Sequence, residues 1–105
     1  EYTKNAETKI AKCYKMVRNK EKYIADFYFK TEVFDAARYR YLDILKSFKN
    51  QDLRDHAIVR VLQASLKLKD YTECIDYSKK FSKLISKDNA KKVSSITQDC
   101  QSKIR

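Results

Sequence analysis

No glycine and no proline occurs anywhere in this chain of 105 residues. Tight hairpins, mirror-image turns and phosphate-cradling loops need a positive φ or a fixed φ at defined places, so their usual residues are missing. The expected class is therefore all-α. Hydrophobic residues make up 43% and charged residues 36%, which permits a modest core and, at this length, a single domain. No apolar run approaches the ~18 residues needed to cross a bilayer, and no charged leader precedes a short apolar stretch. The chain opens at Glu1 directly on a helical pattern, which reads as the cut or processed boundary of a longer protein.

Apolar residues recur at the period of a helix with one buried stripe in five segments. Tyr2, Ala6, Ile10, Cys13, Tyr14, Val17, Ile24 and Tyr28 predict one long helix, or two stacked collinearly, over about residues 3–31. Its soft point is RNKEK at 18–22, a turn without an apolar residue. A second helix, from Phe34 to Lys49 or Asn50, carries Ala37, Tyr41, Ile44, Leu45 and Phe48. The third, about 52–68, carries Leu53, Ala57, Ile58, Val61, Leu62 and Ser65, and Asn50 or Asp52 can cap its first turn. A fourth runs from Tyr71 or Thr72 to about Ser86 with Cys74, Ile75, Phe81, Leu84 and Ile85 inside. A fifth, 88–104, shows Ala90, Val93, Ile96, Cys100 and Ile104. Connections of a few residues force neighbours antiparallel, which makes stacked helical hairpins.

The spacing of Phe34, Ala37 and Ile44 returns 37 residues later as Tyr71, Cys74 and Phe81. Two helices approach closely only where one side chain is small, with larger ones filling the space around the contact. This alternation resembles the tetratricopeptide repeat. Its positions fall on Ile24, Ala25, Tyr28, Phe34, Ala37, Tyr41 and Ile44, and more weakly on Val61, Leu62, Ser65, Tyr71, Cys74, Ser78 and Phe81. Glu32 and Lys69 stand in place of the turn glycine, and Lys49 and Ser86 in place of the closing proline. The implied fold is an α-α superhelix: a lead-in helix over 1–31, a first repeat over 21–50, a second over 52–86 and a capping helix over 88–104.

A narrower resemblance lies in KEKYIADFYFKTEVFDAARYRYLDILKSFKNQD. This run is similar to the carboxy-terminal repeats of the BamD-type outer-membrane assembly lipoproteins, on Tyr23, Ile24, Ala25, Phe27, Tyr28 and Lys30, then Ala37, Arg40, Ile44 and Leu45. It covers about residues 7–85 and departs from that pattern at Phe48 and Lys49, where the family has "YP". The amino-terminal repeats and the lipid-attachment cysteine of that family are not in this sequence. The resemblance implies a non-enzymatic scaffold at the periplasmic face of the outer membrane, in the machine that inserts β-barrel proteins. Its partners would be a periplasmic domain of the barrel-forming subunit and smaller assembly lipoproteins. Arg40 and Lys46 would face that partner, and Tyr23, Phe29 and Tyr39, left over from repeat packing, would extend the contact.

The formal charge of +10 is uneven: eight basic against four acidic residues over 1–30, eight against eight over 31–78, and eight against two over 79–105. Lys79, Lys80, Lys83, Lys87, Lys91 and Lys92 suit a solvated face, an anionic membrane surface or an acidic partner. Aromatics interleaved with Lys30, Arg38 and Arg40 suggest a rival class, a basic helical nucleic-acid binder. Packing accounts for most of those aromatics, so no nucleic acid is expected. A generic tetratricopeptide adaptor in another compartment is the other alternative.

No motif suggests catalysis, a metal or a cofactor. His56, the only histidine, lies off the apolar stripe and reads as a solvated helix residue. Cys13, Cys74 and Cys100 are too few and too scattered for zinc. Packing alone explains Cys74; a disulfide from it to Cys100 is a hypothesis that requires the right helix phase.

Overall fold

The computed structural model describes the backbone of residues 2–104 and the side chains of residues 10–104. Five α-helices follow one another: α1 (Tyr2–Lys30), α2 (Phe34–Ser47), α3 (Gln51–Lys67), α4 (Tyr71–Lys80) and α5 (Lys87–Lys103). No strand occurs among the described residues. Packing is sequential, α1 on α2, α2 on α3, α3 on α4, α4 on α5, and α3 also touches α1 and α5. α3 is therefore the central helix and buries residues on several sides, among them Ala57, Ile58, Val59, Val61 and Leu62.

The turns after α1 and α3 are the same object. Val33 donates its amide to Tyr28 O and Glu32 to Phe29 O; 37 residues on, Asp70 donates to Ser65 O and Lys69 to Leu66 O. This pair of bonds satisfies the last free carbonyls of a helix and demands a left-handed residue between. Glu32 and Lys69 fill that place with φ of 65° and 63°. An L-residue there costs about 1–2 kcal/mol, and glycine gives back some ~0.5–1 kcal/mol through its extra freedom when unfolded. We expect Glu32→Gly and Lys69→Gly each to stabilise the protein by roughly 0.5–1 kcal/mol, read as a rise in the urea midpoint; a fall would show that these turns carry no strain.

Beneath the turns the small residues do what close approach requires. Ala25, Ala37 and Cys74 are fully buried, as is Tyr41, and Phe81 is buried with them in one continuous core. Tyr28, Phe34 and Tyr71 are half-buried at its edge. Asn50 caps α3, its side chain accepting from the Leu53 amide.

The structure settles two points the sequence left open and departs from its reading in two others. α1 is continuous through RNKEK, the first of the two alternatives. The amino-terminal half of its stripe is not buried: Ile10 is 67%, Tyr14 49% and Val17 52% exposed, and Cys13 is exposed too. Periodicity marks a face but not the length of the neighbour. α2 spans only 14 residues, about 21 Å at 1.5 Å each, and covers only the carboxy-terminal part of α1. Tyr2 and Ala6 lie outside the described side chains. Third, α4 ends at Lys80 instead of Ser86, and residues 81–85 make turns. Finally, Cys74 and Cys100 are joined in a disulfide with Cα atoms 6.4 Å apart, which leaves Cys13 as the free cysteine.

The early end of α4 has a cause on α3. Asp55 is buried, and its carboxylate accepts from the Ser86 amide at 3.0 Å, the Asn89 side chain at 2.9 Å, Gln51 Nε2 at 2.8 Å and the Ser86 hydroxyl. Ser86 is the residue before α5, and its own side chain caps nothing. Asp55 thus supplies, from another helix, the acceptor and negative charge that a helix start requires. Burial works to raise its pKa, but the hydrogen bonds from Ser86, Asn89 and Gln51 outweigh that and hold the carboxyl below the usual range. A continuous α4 would carry Ser86 away from this carboxylate.

Candidate functional site

Where α1, α3 and α5 lie side by side, two open clefts meet over α3. One, of about 270 Å³, is lined by His56, Arg60 and Gln63 of α3 and by Asn89 and Lys92 of α5. The other, of about 350 Å³, is lined by Asp26, Phe29 and Lys30 of α1, Tyr41 of α2 and Arg60 again. Arg60 lines both, so the clefts adjoin as one interrupted groove.

Its floor is a hydrogen-bonded cluster from three helices. Asp26 Oδ1 accepts from the Tyr41 hydroxyl and lies 2.8 Å from His56 Nε2, while Oδ2 accepts from Lys22 Nζ at 2.9 Å. Burial pushes the Asp26 pKa up, but the bonds from His56, Tyr41 and Lys22 prevail and hold it below the ordinary carboxylate value. An ionised carboxylate only accepts, so His56 Nε2 carries the proton. Burial and the neighbouring Asp26 carboxylate raise the Tyr41 pKa, which keeps the phenol a donor. His56, read from sequence as a solvated residue, is instead half-buried against the Tyr41 ring, with centroids 5.6 Å apart. Asp26, Tyr41 and His56 tie α1, α2 and α3 together, and Lys22 pairs with Asp26 within α1. Among the described residues no group of three His, Cys, Asp or Glu could hold a metal.

Arg38, one of the basic residues of the nucleic-acid rival, and Arg60 are both engaged internally. Arg38 donates to Ser65 Oγ at 3.1 Å and pairs with Asp70 at 3.0 Å, bracing α2 against the turn after α3. Arg60 lies over the Phe29 ring at 4.2 Å from its centroid, a cation–π contact in which Phe29 forms the groove wall.

The five candidate contact residues do not share one face. Phe29 is in the groove, edge-on to Phe34 and Tyr41. Tyr23 is 72% exposed on α1, four residues from the exposed Phe27, and Tyr39 is 66% exposed on α2. Lys46 is exposed and follows Tyr39 by two helical turns, so those two share the outside of α2. Arg40 stands on another side of α2, 3.9 Å from Glu21 of α1, a surface pair that contributes little.

Asp26, Asp55, His56 and Arg60 were not expected to matter. Their signal was position: an acid directly after Ala25, and polar residues between apolar ones in a helix, α3, whose apolar positions point more than one way. No family model, curated protein or solved structure matches this chain.

Proposed function

We propose that this protein is a non-enzymatic scaffold that holds partner proteins, built from two tetratricopeptide-like hairpins with α5 closing the second. The observation that carries this reading is the duplicated turn. Two left-handed residues 37 positions apart, each with the same pair of amide bonds, precede helices that bury a small residue at the equivalent place. Stacking such hairpins sets α1, α3 and α5 side by side and leaves the groove through Arg60 open. Repeat scaffolds bind along surfaces of this kind.

We further propose, on the resemblance of the YIADFYFK segment and its lead-in helix, that the partners belong to the machinery inserting β-barrels into the outer membrane, at its periplasmic face. The bonded Cys74–Cys100 pair fits an oxidising compartment. Immobilised oxidised protein should retain the barrel-forming assembly subunit from an envelope extract. Tyr39→Ala combined with Lys46→Glu, both on an exposed face, should reduce that recovery several-fold; an extract yielding no assembly subunit counts against the placement. With Arg38 and Arg60 engaged internally, neither duplex nor single-stranded nucleic acid should be retained near 0.15 M salt, about where exposed charges are screened beyond 8 Å.

A further inference from the structure

Beyond the end of α2, α1 runs on without a covering helix, yet its apolar side chains do not face open water singly. Ile10, Cys13, Tyr14 and Val17 form, with Ser47 and Phe48, an apolar notch of about 480 Å³. Its floor is fixed: the Tyr14 ring stands edge-on to Phe48 with centroids 5.3 Å apart, and its hydroxyl donates to Ser47 O at 3.2 Å. On the far side of Tyr14, Lys15 and Arg18 line a second shallow surface, and Lys49 follows Phe48.

We propose that this notch seats an amphipathic helix of a partner protein, with its apolar face against Tyr14 and Phe48 and acidic side chains along its flanks. Glu21, which faces Arg40, and Asp43 border Val17 and Phe48 at one end of the notch; along the rest of α1 the charge decides the occupant. Residues 10–20 contain Lys12, Lys15, Arg18 and Lys20 and no acid, and among the described residues none of these, nor Lys49, is in an ion pair. A second copy would bring the same cations against one another, whereas acids flanking an apolar stripe would be drawn in and held in register. The notch is shallow, with Ile10, Tyr14 and Val17 about half exposed or more, but Phe48 at its floor is buried beside the end of α2, and a ridge of helix side chains reaches that floor. A floor already fixed by its own contacts spares the cost of ordering it on binding. This deepens the scaffold reading and rests on it, but uses neither the groove through Arg60 nor the barrel-assembly placement, so a failed envelope pull-down leaves it standing.

The test uses the full oxidised chain and a fluorescein-labelled helical peptide with leucines at every third and fourth position and glutamates between them. A second peptide replaces each glutamate by lysine. Anisotropy should show saturable binding of the acidic peptide and none of the basic one. In the variant Ile10→Glu/Val17→Glu, whose two sites are exposed and whose melting curve should be unchanged, the Kd should rise roughly tenfold or more, since the burial of two apolar side chains is lost and two acids are set against an acidic peptide. Equal affinity for the two peptides, or a Kd indifferent to the variant, overturns the proposal. So does sedimentation showing a dimer that the variant abolishes, which would make the notch a self-interface. Absence of peptide binding, with variant-sensitive pelleting on vesicles of three parts phosphatidylcholine to one part phosphatidylglycerol, would assign it to membrane instead.

Discussion

Reduction of the Cys74–Cys100 bond should cost the protein about 3.5 kcal/mol, the entropy regained by the unfolded chain when a loop of this span is opened. The bonded residues are 26 apart in sequence. For a domain of this size that loss lowers the midpoint of thermal unfolding by roughly 15 °C. Both sulfurs are deeply buried between α4 and α5, and α4 is only ten residues long, too short to persist without its neighbours. The damage should therefore concentrate where α4 and α5 meet, and circular dichroism should show helix lost before the rest unfolds. Counting thiols gives an independent check: one per chain in the unreduced denatured protein, from Cys13, and three after reduction. The double variant Cys74→Ala/Cys100→Ala should melt near the reduced protein and no longer respond to reductant. Three thiols before reduction would mean that the bond does not form.

Asp55→Ala should be the next most costly change, at about 2 kcal/mol, because it strips the acceptor from four donors on Ser86, Asn89 and Gln51. The start of α5 also loses the negative charge that favours it. Asp55→Asn keeps one acceptor oxygen but turns an amide toward the Ser86 donors, and should lose roughly half as much. Urea unfolding reads both, as a lowered midpoint with an unchanged slope. The pH dependence has a definite sign. Asp55 and Asp26 both have folded pKa values held below the ordinary one. The stability they contribute is thus complete above the unfolded carboxylate value near ~4 and is lost as pH falls through the lower folded values. Between pH 7 and 5 these groups should leave the midpoint flat, with a drop below about pH 4 that is shallower in Asp55→Ala. A midpoint that climbs on acidification would contradict the network described for both residues.

The helices and their seam were legible in the sequence because each depends on local spacing. A stripe at helical period reports which face is apolar, and a small residue among large ones reports where backbones approach; Ala37 and Cys74 needed nothing more. What remained hidden depends on residues distant in sequence. The stripe of α1 could not disclose that α2 is too short to cover Ile10 and Val17. Leu84 and Ile85 continue the apolar phase of α4, so its end at Lys80 becomes intelligible only through Asp55, some thirty positions earlier. His56 looks solvated along its own helix and is tied down only because Asp26 arrives from α1. The pairing of Cys74 with Cys100 needed the relative phase of two helices, which neither helix carries by itself.

α3 borders each of the other four helices, so the helical hairpins should not melt independently, although the same turn recurs in both. Were the two hairpins independent, either could open and leave the other intact. Here both are built around one shared strut, so melting either half strips a flank of α3 and weakens what is left. Partial opening should accordingly be confined to the periphery, while any excursion that releases α3 takes the whole molecule with it.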